Sequence, residues 1–138
     1  MIKSLSWNPI FQVMGIFFIQ PFVLGVWLSI IPKVQSELNL DAFQLALGLM
    51  GTPMGMLITL PFAGKVVNSF GIRKILYIGF PAYFYSITLI GQAIGLYSLF
   101  IVLFLVGACG SLLTVSLNVH AGRIEKNTQS VIMNRCHG

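Results

Sequence analysis

The side chains able to do chemistry are few and scattered. The histidines are His120 and His137, the cysteines Cys109 and Cys136, and the carboxylates Glu37, Asp41 and Glu125. No nucleophile has a base beside it, no glycine-rich phosphate loop is present, and no set has metal-ligand spacing. The sequence therefore reads as a non-enzyme with no cofactor or metal. His120 and His137 read as solvated end residues, Cys109 as a packing residue and Cys136 as a free thiol without a disulfide framework. What remains inside the apolar runs is neutral: the amides Gln12, Gln20 and Asn118 and the hydroxyl of Thr114.

These groups have definable positions on helices. Gly107, Gly110, Ser111, Thr114, Asn118, Ala121, Gly122 and Glu125 recur at three- and four-residue steps, which places them on one face. That face grades from small to polar to charged, and either packs on another helix or lines a water-filled cavity, with Asn118 favouring a cavity or an interhelical hydrogen bond. Gln12 and Gln20 share a side of an earlier helix, and Pro21 invites a kink there. Their amides either bond a neighbouring helix or contact a solute. Gly51 and Gly55 form G-x-x-x-G, with Gly48 and Thr52 one turn earlier, a pattern that lets helix backbones approach closely in lipid.

Composition supplies the solvent for these helices. Of the 138 residues, 57% are hydrophobic and 8% charged, against about 25% charged in ordinary soluble domains. Mean hydropathy is +0.90. The net charge of +5 does not signal nucleic acid, because the cations punctuate apolar runs instead of clustering on a polar face. The expected fold is all-α, with four transmembrane helices over about 11–31, 45–62, 75–96 and 99–119. Each is near the ~20 residues that cross a hydrocarbon core. Trp7 and Trp27 are expected to bracket the first span as an aromatic belt, Gly95 to Ser98 to form a tight hairpin, and 120–138 to be a tail. The first apolar run is too long for a cleavable signal peptide.

The segment Gly64-Lys65-Val66-Val67-Asn68-Ser69-Phe70-Gly71-Ile72-Arg73-Lys74 is a basic turn between two such spans. Its cations must lie at a membrane surface. Lys3, Lys65, Arg73, Lys74, Arg123, Lys126 and Arg135 fall on one side and only Lys33 on the other, seven against one. The positive-inside rule then places both termini and this turn in the cytoplasm, and the loop from Lys33 to Gln44 outside. The absence of a carboxylate inside the spans leaves no candidate group for proton or sodium coupling.

The turn resembles the signature loop between helices two and three of the major facilitator superfamily, G-x-L-a-D-r-x-G-r-r/k. Gly64, Phe70, Gly71, Arg73 and Lys74 match in place and spacing, whereas Asn68 and Ser69 stand where the family has Asp and Arg. In the family that Asp contributes to a charged latch; Asn68 can offer only a neutral hydrogen bond. Gly25-Val26-Trp27 with Ile31-Pro32, Leu38 and Leu40, and the string Asn118, Glu125, Met133, Asn134, His137, Gly138, resemble sugar-permease-like members. Where fucose-permease-like proton symporters carry acids, this chain has Leu28 and Thr114.

The resemblance implies part of the N-terminal six-helix half of a bacterial inner-membrane permease that moves a small solute, a sugar or a drug, by alternating access. Its partners would be the bilayer, the solute and the missing transporter helices. Such permeases have twelve helices in two halves, so residues 1–138 read as a partial transporter domain, inactive alone. Two other readings remain: a four-helix exporter of the small multidrug type, which would need a glutamate absent from helix one, and a non-transporting membrane subunit binding a partner through its glycine faces.

Overall fold

A computed structural model describes residues 9–128, with side-chain surroundings for Gly15 and for 17–126. All regular structure within them is helical: α1 (Pro9–Glu37), α2 (Ala42–Leu49), α3 (Gly51–Phe70), α4 (Ile72–Ile90) and α5 (Leu96–Thr128). Three stretches are long and apolar enough to cross a membrane: Phe17–Glu37, Ala42–Phe70 and Leu96–Lys126. The second joins α2 and α3 through Met50, whose backbone stays helical and whose N–H reaches Ala46 O. The break at Met50 has a local cause: Pro53 lacks the N–H that would bond Leu49, and its ring crowds that carbonyl. The fourth candidate, α4, is less apolar because its first turn holds Arg73 and Lys74 and its body holds Tyr77, Tyr83 and Tyr85.

Helix ends differ from the sequence expectation at several places. The chain leaves α1 only after Glu37, through Asn39 at φ 51°, a left-handed C-terminal residue that Asn tolerates. Leu40 N bonds Gln35 O, and Gln35 Nε2 donates to Leu40 O. Asp41 then starts α2 with a capping box: Gln44 N donates to Asp41 Oδ1, and Asp41 N donates to Gln44 Oε1. The helix expected over 75–96 stops at Ile90, and of the hairpin expected at Gly95 to Ser98 only Gly95 lies outside α5, which begins at Leu96. Ser98 decides this: its Oγ accepts from Ile94 N and Gly95 N and donates to Gly95 O. The helix also continues from 120 through Thr128, where a tail was expected.

The bundle is organised around α5, which packs most extensively on α3, then α4, with smaller contacts to α2 and α1. A third of its most apolar window is buried (33%), against 11% for that of α1. Leu99, Leu103, Val106 and Leu113 of α5 meet Trp27 and Val34 of α1 and Tyr83 and Ile90 of α4 in one core. Trp27 is 3% exposed, so it is a core residue and not the belt anchor expected; Trp7 lies outside the described residues. The outer surface is apolar, with Phe18, Phe22, Leu57, Ile78 and Ile94 all prominently exposed. Contiguous apolar surface on this scale is unfavourable in water and suits hydrocarbon.

Candidate functional site: a polar seam between α1 and α5

Glycine sets the geometry around the site. A Cβ added to Gly51 would overlap Phe100 O, one on Gly55 would overlap Phe104 O, and one on Gly107 would overlap Thr52 O. Gly51 faces Phe100 and Gly55, four residues on, faces Phe104, so α3 and α5 run parallel, backbone against backbone. The G-x-x-x-G pattern is thus spent on packing within the chain, and these glycines offer no free face to a partner. Gly107 and Gly110 do not share one neighbour as their spacing suggested. Gly107 meets α3, whereas Gly110 meets Tyr83 of α4 and Gln20 of α1.

That division brings two candidate residues, Gln20 and Thr114, together across 94 positions of sequence. Gln20 Nε2 donates to Gly110 O at 3.1 Å and to Thr114 Oγ1 at 3.0 Å. Both protons of one amide are therefore used to tie α1 to α5. Pro21 follows directly, but α1 runs through it and through Pro32 without a break. One turn beyond Thr114, Asn118 Oδ1 is buried and has no hydrogen-bond partner among the described residues. A buried amide oxygen left unpaired costs about 1–3 kcal/mol, so among the described residues Asn118 is the polar group on this seam that a further partner would stabilise. The buried serines beside it are satisfied within their own helix: Ser111 Oγ donates to Ala108 O, and Ser116 Oγ to Leu112 O. Gln12 lies on α1, but its side chain is outside the described residues.

The signature-loop residues sit apart from the seam. Gly64 and Asn68 are in the body of α3, both exposed, and a Cβ on Gly64 would meet nothing within 4 Å. The turn expected over 64–74 is a single residue, Gly71, at φ 83° and ψ 143°. That conformation is essentially reserved for glycine, and it lets α3 reverse into α4 with no further loop. Arg73 and Lys74 form the first turn of α4 and line a cleft with His120 and Arg123 of α5. Glu125 is half-buried on α5 and outside that cleft. Among the described residues the one ion pair is Lys33–Glu37, at 3.7 Å. Counting charges by side does not reveal this grouping; the sequence signal for it is the His120-x-x-Arg123 spacing, which puts both residues on one helix face. No group of three or more metal-ligating side chains occurs among the described residues.

Comparison with known proteins gives one informative relative. The chain is 30% identical over 122 residues to y4wD, an uncharacterized transporter of Sinorhizobium fredii (strain NBRC 101917 / NGR234). The match covers 88% of this chain and 32% of that protein, so the chain spans about a third of its relative's length. No protein-family model matches the chain, and no solved structure does. The three long apolar stretches support a multi-pass membrane protein.

Proposed function

We propose that this chain is part of a major-facilitator permease of the sugar-permease-like type, moving a small solute by alternating access across a bacterial inner membrane. In this reading α1, the α2–α3 rod, α4 and α5 each cross the bilayer. At ~1.5 Å per residue the 19 residues of α4 reach about 28 Å, close to the ~30 Å hydrocarbon core. Both chain ends and the α3–α4 corner face the cytoplasm.

The observation that carries the proposal is the seam of Gln20, Thr114 and Asn118. Polar side chains inside membrane helices are expensive and concentrate where a solute or water passes. Here a glutamine holds two helices in register, while an amide oxygen one turn away has no partner among the described residues. Asn118 is accordingly the residue assigned to solute or water contact, and Gln20 and Thr114 position the helices that carry it. The match to a third of a transporter supports the same reading, as does the Gly64-to-Lys74 resemblance.

Alternating access needs a second body to rock against, and residues 1–138 are proposed not to transport alone. Proteoliposomes carrying the purified chain should take up radiolabelled fucose, glucose or ethidium no faster than empty vesicles. Saturable uptake by the chain alone would refute this part of the proposal and favour a self-contained four-helix exporter.

A further inference from the structure

The cleft between the α3–α4 corner and the end of α5 plays no part in the seam. It measures about 540 Å³ and is lined by Phe70, Gly71, Ile72, Arg73, Lys74, His120, Arg123 and Ile124. It gathers two guanidinium groups and an ammonium with no carboxylate in its lining. None of the three cations is in an ion pair among the described residues, and His120 lies within the electrostatic field of Arg123 and Arg73. Like charges gathered in one concavity raise its potential and favour an anion there.

A second feature points the same way. Gly71 is the N-cap of α4 and has no side chain with which to cap it. The first-turn N–H groups of a 19-residue helix therefore have no capping side chain on the wall that carries Arg73 and Lys74. Such groups suit phosphate oxygens. The lining also has an apolar element, since it includes Phe70, 63% exposed, and Ile72, which is buried. A group combining a phosphate with an apolar body matches that combination.

We propose that this cleft binds a phosphate-bearing anion, either the headgroup of an anionic phospholipid or soluble phosphate, through Arg73, Lys74, Arg123 and the start of α4. Basic pockets between helices at the cytoplasmic surface are suited to such headgroups. The site would act as an anchor that holds the α3–α4 corner against α5 at the membrane surface, independently of any solute carried.

The test uses the full chain purified in a neutral detergent and offered equal amounts of phosphatidylglycerol and phosphatidylcholine, with bound lipid read by native mass spectrometry. A parallel sample is dialysed against radiolabelled inorganic phosphate. Preferential, saturable retention of phosphatidylglycerol that phosphate does not displace identifies the lipid headgroup. Phosphate binding that competes with the lipid identifies soluble phosphate as a sufficient ligand. In either case Arg73→Gln with Arg123→Gln should weaken binding by about fivefold per cation removed. Arg73→Lys with Arg123→Lys should keep most of it, and Lys65→Gln, outside the cleft, should leave it unchanged. Far-UV circular dichroism establishes that each variant remains helical. No preference for the anionic lipid and no phosphate binding, or equal binding by the double glutamine variant and wild type, would overturn the proposal.

Discussion

Gly55→Ala isolates the contact on which the bundle rests. The added methyl would overlap Phe104 O and lie 3.0 Å from both Ala108 N and Phe104 C. All three are backbone atoms of α5, so no rotamer change makes room and the two rods must separate. Ordinary carbon contacts sit near 3.5–4.0 Å, and a gap of ~0.5–1 Å forfeits a quarter to a half of each contact's attraction. Overpacking of this kind costs about 1–3 kcal/mol. Alanine also raises helix propensity by about 1 kcal/mol, which partly offsets that cost. Gly64→Ala removes this ambiguity, because Gly64 lies on the same helix with nothing within 4 Å of its added Cβ. The propensity gain cancels between the two variants, leaving Gly55→Ala about 1–3 kcal/mol less stable than Gly64→Ala. The assay is reversible unfolding by sodium dodecyl sulfate in mixed micelles, followed by circular dichroism. Equal midpoints for the two variants would refute the close α3–α5 approach.

Two further perturbations address the seam and the corner. Gln20→Leu should cost about 1 kcal/mol, since interhelical hydrogen bonds in membranes average ~0.6 kcal/mol and Gln20 makes two. A double-mutant cycle with Thr114→Val should show coupling near ~0.6 kcal/mol, and strict additivity would contradict the Gln20–Thr114 bond. Gly71→Ala should destabilise by about 1–3 kcal/mol through backbone conformation alone, because its Cβ would meet no atom within 4 Å at φ 83°. An unchanged unfolding midpoint for that variant would show that the corner is not held at positive φ.

The sequence made the helical class and the glycine packing legible, because apolar run length and small-residue spacing are local signals. It also singled out Gln20, Thr114 and Asn118. It could not pair them, since the bond from Gln20 to Thr114 depends on how α1 is set against α5, and no local pattern encodes that register. Helix ends were misjudged for physical reasons. Ala93, Ile94 and Leu96 prolong an apolar run past the true end of α4, while the decisive group is Ser98 Oγ, which takes up two backbone N–H groups. Gly64 and Gly71 look alike in sequence, yet only Gly71 has the conformation that requires glycine. Distance along the chain suits Trp27 to a membrane interface, whereas packing with α4 and α5 puts it in the core. The Asp41–Gln44 capping box has a local signature, D-x-x-Q, inside the segment expected as an outer loop.

The proposed topology of four membrane spans underlies the whole account, and side-specific cysteine labelling tests it most directly. In a chain with Cys109→Ser and Cys136→Ser, single substitutions Ser36→Cys, Ser69→Cys and Lys126→Cys report the two ends of the bundle at exposed positions. The account predicts that a membrane-impermeant maleimide labels position 36 in intact spheroplasts and reaches 69 and 126 only after permeabilisation. Labelling of 69 and 126 from opposite sides, or of 36 only from within, would contradict it.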